Sequence, residues 1–343
     1  MPDNRPRLLV AGLRGGSGKT TLTIGLAAAL RRRAWGVAPF KKGPDYIDSA
    51  WLTLASGRPC RNLDTLLMGE EAVLRSFAAN TSASDIALIE GNRGLFDGHD
   101  ASGTHSSAAL ARLLKAPVVL VADCSKTTRT IAALIAGCAR FEPDLPLAGV
   151  VLNQVANSRH EKILIESVET HTDLPVLGAL PRDSSLPLSM RHLGLVPPQE
   201  QDGAREAIGR YAELVEQYAD VEKIVELAKE AEALEFDGAP LFETTVPRGE
   251  KPRVGVVLDT AFHFYYPENI EALSANGAEI VEVSAISDPR LPPLDGLYIG
   301  GGFPETQAKA LAANEGFRAS LKQAIEDGLP VYAECGGAMY LGQ

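Results

Sequence analysis

A succession of short, almost wholly apolar runs, each ending in glycine or a polar residue, constrains this chain more than any other feature. Leu8-Leu9-Val10 leads to Gly12, Val37-Ala38-Pro39-Phe40 to a pair of lysines, and Ile86-Ala87-Leu88-Ile89 to Glu90. Residues 117–121 lead on to Asp123, residues 147–152 stop at Asn153, and residues 175–180 form one more run. Strands that are apolar on both faces belong in a sheet covered on both sides. Helical segments intervene at 19–33, 104–114, 127–140 and 158–170. That alternation specifies parallel strands joined by crossover helices, an α/β fold. In such a sheet ligands gather at the carboxyl ends of the strands. Lys19, Asp45, Glu90, Asp123 and Asn153 all fall at or just past such ends.

From residue 203 to about 234 the chain turns charged, alanine-rich and helical, and 235–252 holds Gly, Pro and Thr without a clear period. A second strand and helix series then begins, with strands expected at 254–258, 279–283, 296–299 and 330–332 and one helix over 305–326. The expected organisation is a first domain over 1–234, a linker over 235–252 and a second domain over 253–343. A formal charge of −11 argues against nucleic acid and anionic membrane as partners. No stretch approaches the length of a membrane span or a signal-peptide core. The cysteines Cys60, Cys124, Cys138 and Cys335 show no CxxC spacing, which argues against a zinc site or a disulfide framework. A cytoplasmic setting fits best.

Gly15-Gly16-Ser17-Gly18-Lys19-Thr20-Thr21 joins the first strand to the first helix. Glycines permit the left-handed turn that points backbone N–H groups at phosphates, and the helix N-terminus adds partial positive charge. The strict phosphate-loop pattern asks for glycine where Leu13 stands; here the glycine is Gly12. Lys19 is expected on the β- and γ-phosphates of ATP and Thr20 on Mg²⁺. Asp45 and Glu90, at strand ends, are the expected carboxylate ligands of that ion. Lys41 would clamp a phosphate or a substrate carboxylate, and Lys42, Arg58, Arg61 and Arg93 could form a basic substrate site.

Near the end, Tyr332-Ala333-Glu334-Cys335-Gly336-Gly337 sets a thiol at a strand-to-helix turn. Such a turn exposes the nucleophile, and the positive end of the helix favours its anionic form. Gly301-Gly302 follows the preceding strand, so the N–H groups of Gly302 and Gly336 are expected to form an oxyanion hole. Cys60, Cys124 and Cys138 lack this setting and read as structural.

Together these segments resemble the cobyrinate a,c-diamide synthase family, itself related to dethiobiotin synthetase. The resemblance rests on KKGPDYID (41–48), RNLDT (61–65), EGNRGLFDG (90–98), the strand to Val121, GVVLNQ (149–154), GGFPE (301–305) and YAECGG (332–337). It implies a P-loop NTPase-like synthetase domain followed by part of a flavodoxin-like class I glutamine amidotransferase domain. It further implies ATP and Mg²⁺ as cofactors, a tetrapyrrole polycarboxylate as substrate, and glutamine or ammonia as nitrogen donor. In the family's pattern Thr20, Asp45 and Glu90 match metal-binding positions, Asp48 and Asp97 acidic positions near substrate, and Asn153 an adenine-reading asparagine. Tyr46 lies in the substrate loop, and a homodimer is compatible with the relatives.

Family members carry a histidine, commonly with a glutamate, well after the cysteine. His99, His105, His160, His171, His192 and His263 all precede Cys335. The chain is therefore expected to be a fragment of a longer protein, with weak glutaminase activity as given and ammonia use intact. Two alternatives stay open: amidation of sirohaem or nickel-sirohydrochlorin, and a partition-type switch ATPase. Arg14-Gly15-Gly16 resembles the latter's phosphate loop, with Arg14 where those proteins carry lysine.

Overall fold

The computed structural model describes residues 2–183, 190–191, 194–236, 239–242, 244 and 249–342. The chain divides into two compact units, Met1–Leu241 and Phe242–Gln343. The segment expected to link them, 235–252, includes 237–238, 243 and 245–248, which lie outside the described residues.

The first unit is built on a seven-stranded, all-parallel sheet. Its strands are β1 (Arg7–Gly12), β2 (Val37–Lys42), β3 (Arg61–Leu63), β4 (Ile86–Glu90), β5 (Val118–Asp123), β6 (Leu147–Val155) and β7 (Val176–Pro181), in the order 3-2-4-1-5-6-7. β1 lies between β4 and β5, pairing Val10 with Glu90 on one side and with Val119 on the other. The helices are α1 (Lys19–Arg32), α2 (Ile47–Ser56), α3 (Glu70–Thr81), α4 (Ser107–Leu113), α5 (Thr130–Phe141), α6 (Ser158–His171), α7 (Ala204–Tyr218) and α8 (Val221–Lys229). Leu8, Leu9, Val10, Leu88, Ile89, Leu120 and Val121 are fully buried, each worth about 1.5–3 kcal/mol of burial. α7 approaches α1 so closely at Gly25 that a Cβ there would stand 2.4 Å from Val215 Cγ2.

Two features differ from the sequence reading in this unit. β2 runs two residues further than its apolar core, to Lys42, and Lys41 is buried within it. α2, β3 and α3 form where the sequence reading placed no element.

The second unit holds a four-stranded parallel sheet of β8 (Arg253–Val257), β9 (Glu279–Val283), β10 (Gly296–Ile299) and β11 (Val331–Ala333), in the order 9-8-10-11. Its helices are α9 (Pro267–Ala275), α10 (Ala308–Ala313), α11 (Glu315–Glu326) and α12 (Gly336–Leu341). Val257, Phe262, Ile299 and Phe317 lie at the centre of its own core. The single helix expected over 305–326 is two. Asn314 breaks it, accepting from Phe317 N at 3.3 Å and sending its amide to the carbonyls of Ala285, Ile286 and Asp288. A side chain that caps one helix and anchors a loop ends the helix before it.

Candidate active sites

At the carboxyl edge of the first sheet, the phosphate loop is locked from within. Gly16 and Gly18 take positive φ values of 76° and 100°. The Ser17 hydroxyl, fully buried, donates to Arg14 O at 2.9 Å and accepts from Arg14 N at 3.2 Å. Gly12 stands where the loop folds back over the strand end: a Cβ there would lie 3.0 Å from Arg14 O and 3.2 Å from Lys19 Cγ. That contact explains why position 12 is glycine. The first N–H groups of α1 have no intrahelical acceptor and face the loop's concavity, with Lys19, Thr20 and Thr21 in the opening turn.

Beneath the loop lies a buried ionic cluster. Thr20 Oγ1 donates to Glu90 Oε1 at 2.7 Å. Lys41 Nζ donates to the same Glu90 oxygen at 2.9 Å, to Asp48 Oδ2 at 2.7 Å and to Gly91 O at 3.2 Å. Glu90 is 0% and Lys41 1% exposed. Burial works against the Lys41 charge, but Asp48, Glu90 and Asp45 outweigh it and raise its pKa. Burial raises the Glu90 carboxyl above the usual range, against the pull of Lys41. Asp45 is pushed up to about 6 by burial and by Asp48; its Oδ1 accepts from Asp48 N at 2.8 Å and so caps the entry to α2. Lys19 Nζ reaches across to Arg93 O at 2.8 Å, and burial lowers its pKa against the attraction of Glu90.

The fit of a divalent cation rests on Glu90. Its Oε2 is buried and accepts no hydrogen bond among the described residues, while Thr20 and Lys41 use only Oε1. Among the described residues, no group of three or more His, Cys, Asp or Glu side chains could hold a metal by itself. That pattern suits Mg²⁺, which is typically held by one or two carboxylates plus substrate phosphates and water.

The remaining expected residues separate into those at this edge and those away from it. Lys42 ends β2, half-buried, its pKa lowered by burial against the pull of Asp64. Tyr46 is the N-cap of α2. Arg93, exposed, sits in the loop after β4 at φ 48°. Asp97 accepts from Gly94 N at 2.8 Å, shaping the loop that gives Lys19 its carbonyl partner. Asn153, expected at the adenine, donates from Nδ2 to Ser17 O at 2.9 Å and so braces the phosphate loop. Arg61 is buried in β3 opposite Phe40 rather than in an open loop. Arg58 must be corrected: it follows α2, which returns the chain to the amino end of the sheet, and its guanidinium donates to Ala83 O at 2.8 Å. That is the wrong edge for substrate.

Two supporting side chains, Asn62 and Ser107, escaped the sequence reading, and a third, Asp123, was placed at a strand end without a partner. Asn62 donates to Gly43 O and Asp45 O at 2.9 and 2.8 Å, holding the turn that presents Asp45. Ser107 pins Asn92 through both its N–H and its carbonyl. Asp123 pairs with exposed Arg14 at 2.8 Å; burial works against its charge, yet Ser125 and Arg14 keep its pKa below the ordinary value.

In the second unit, Cys335 is exposed at the N-cap of α12, with φ 48° and ψ −116°. A non-glycine residue held there stores strain, as nucleophiles on strand-to-helix elbows do. Gly301 and Gly336 allow the approach: a Cβ on Gly301 would lie 3.4 Å from Cys335 Cβ, and one on Gly336 3.2 Å from Gly302 N. Cys60 and Cys124 are buried and Cys138 partly so.

Both units match known protein families. Residues 8–196 match the CobQ/CobB/MinD/ParA nucleotide binding domain, and residues 253–343 match the CobB/CobQ-like glutamine amidotransferase domain. A cobyrinate a,c-diamide synthase of Magnetococcus marinus is 46% identical over 346 residues, covering 100% of this chain and 74% of the relative. That of Methanosarcina acetivorans is 46% identical, covering 98% of the chain and 70% of the relative. The chain belongs to the cobyrinate a,c-diamide synthase family. As a member, it is an ATP-using amide-forming ligase with a nucleotide-binding domain and a glutamine amidotransferase domain. No helix among the described residues is long and apolar enough to cross a membrane.

Proposed function

We propose that this chain amidates the a and c acetate carboxylates of cobyrinate, using Mg²⁺-ATP for activation and glutamine or ammonia for nitrogen. The observation that carries the reading is the phosphate loop set directly above the Thr20–Glu90–Lys41–Asp48 cluster on one sheet edge. The names of the relatives favour cobyrinate over sirohaem or nickel-sirohydrochlorin. Residues 1–234 form the synthetase domain in this reading, 235–252 the linker and 253–343 the glutaminase domain. A cytoplasmic homodimer completes it.

A carboxylate is a poor acyl donor because its leaving group would be oxide. Transfer of the γ-phosphoryl group to a carboxylate oxygen gives an acyl phosphate and ADP; ammonia then adds to the carbonyl carbon, loses a proton and expels phosphate. Such transfer depends on positioning and charge neutralisation. Gly15, Gly16, Gly18 and the N–H groups of Lys19, Thr20 and Thr21 cradle the phosphates. Thr20, Asp45 and Glu90 would hold Mg²⁺, which would supply charge neutralisation. Lys19 and Lys41 balance charge on the transferring group, while Lys42 and Arg93 meet the peripheral carboxylates. Asp48 keeps Lys41 in place, and Asp97 keeps the loop of Arg93.

The test is amidation followed by mass spectrometry with Mg²⁺-ATP, offering cobyrinate, sirohaem and nickel-sirohydrochlorin separately and ammonium or glutamine in turn. Cobyrinate should gain amides at two positions with ammonium, and Lys19→Ala should abolish this while Cys335→Ala leaves it. ATP hydrolysis indifferent to every macrocycle would sink the reading and favour a switch ATPase.

A further inference from the structure

We infer that Tyr265 is a positioning residue for the oxyanion hole, fixing the direction of the Gly302 N–H beside Cys335; the assignment rests on reading Cys335 as the glutaminase nucleophile. The Tyr265 hydroxyl accepts from Gly300 N at 2.7 Å and donates to the Val257 carbonyl. It therefore ties the end of β10 to the end of β8, one residue before the Gly301–Gly302 peptide. The ring presses on the same point, since a Cβ on Gly300 would lie 2.7 Å from two of its carbons. Burial holds the phenol above its ordinary pKa, so the hydroxyl keeps its proton and donates it to Val257 O.

The neighbours of Tyr265 grip the next peptide. Gly301 O accepts from His263 N and Phe264 N, both at 3.1 Å. A trans peptide sends its C=O and N–H in opposite directions. With its carbonyl committed to residues 263–264, this peptide must turn the Gly302 N–H away from them. Gly302 itself has φ 154° and no room for a side chain, a Cβ there falling 2.1 Å from Ala261 O. Asp259 fixes that wall by accepting from Ala261 N and Phe262 N at 2.8 and 3.1 Å. A flipped peptide would lose both accepted hydrogen bonds, so the donor is set before substrate arrives.

The chemistry explains why direction matters. The Cys335 sulfur bonds to the amide carbon of glutamine, and the carbonyl π pair moves onto oxygen, which the Gly302 N–H stabilises. When that pair returns, the nitrogen leaves as ammonia, taking up through solvent the proton that the Cys335 thiol gave up, and a thioester remains. Alkylation by iodoacetamide, by contrast, displaces iodide at a saturated carbon and develops no oxyanion.

The experiment compares the two on Cys335, read by mass of its peptide. Alkylation by iodoacetamide is timed with and without glutamate γ-semialdehyde, whose aldehyde adds the thiol to form a tetrahedral adduct and so protects it. In Tyr265→Phe, and independently in Gly300→Ala, protection should weaken about tenfold while unprotected alkylation stays within about twofold, less than the 10²–10³-fold of losing an oxyanion donor outright. Unchanged protection in both variants, or alkylation slowed as much as protection is weakened, would overturn the assignment. If the unsubstituted chain shows no protection, the glutaminase reading itself fails and takes this one with it.

Discussion

Lys41 Nζ lies 2.9 Å from Glu90 Oε1, the same oxygen that accepts the Thr20 hydroxyl at 2.7 Å. One carboxylate oxygen thus joins the phosphate-loop helix to the lysine of the neighbouring strand, with almost no solvent to screen it. Removing the cation alone strands a buried charge. Lys41→Met should therefore cost about 3–5 kcal/mol in urea unfolding, whereas Lys41→Met with Glu90→Gln should recover much of that loss. Equal losses in the single and double variants would mean that the pair is not the source. ATP-dependent amidation should be lost in both.

Asp45 gives the unliganded protein a pH signature. Its folded pKa of about 6 lies above the ordinary 3.8, so between those values the folded state holds a proton that the unfolded chain has lost. Protonation thus stabilises the fold, and stability falls as pH rises from about 4 through about 6. Glu90, also raised by burial, acts in the same direction. Asn at position 45 can still accept from Asp48 N, so Asp45→Asn should keep the cap and flatten the slope. The check is urea unfolding without nucleotide or metal at several pH values; an unaltered slope would remove Asp45 as its source.

Lys42 and Arg58 were both expected to meet substrate, and the fold places them at opposite ends of the sheet. Lys42→Ala should raise the KM for the macrocycle about tenfold or more, the scale of a lost hydrogen bond to a charged group. Arg58→Ala should leave KM unchanged and shift stability by no more than about 0.5 kcal/mol, as for most surface substitutions. Steady-state kinetics with ammonium isolates the synthetase half for this comparison. A raised KM in Arg58→Ala would contradict the placement.

That pair also shows what the sequence could and could not reveal. Strands such as Ile86–Glu90 were legible because an apolar run can only be buried, and the polar residue that ends it marks the functional edge. Arg58 misled because a basic residue in a connecting turn says nothing about which edge of the sheet that turn occupies. The burial of Lys41 was hidden for a related reason: a lysine after Phe40 reads as the end of a strand until Asp48 and Glu90 are seen to neutralise it. The brace from Asn153 to Ser17 joins residues far apart in sequence, and no local pattern encodes it.

That brace limits what the phosphate loop tolerates. Gly18 sits at φ 100°, and a Cβ there would fall 2.0 Å from Asn153 Nδ2. Gly18→Ala therefore carries two penalties, a left-handed backbone costing about 1–2 kcal/mol and a collision with the side chain that holds the loop. Asn153→Ala alone removes the hydrogen bond to Ser17 O but opens space. The double variant should be more stable than Gly18→Ala alone, because the collision disappears while the backbone cost remains. Nucleotide binding should fall in all three, since each loosens the turn that aims its N–H groups at phosphate. Thermal unfolding with and without ATP separates the effects: the collision alters the unliganded midpoint, and the loosened loop reduces the shift produced by ATP. If Gly18→Ala and the double variant melt together, Asn153 does not press on the loop as the geometry requires.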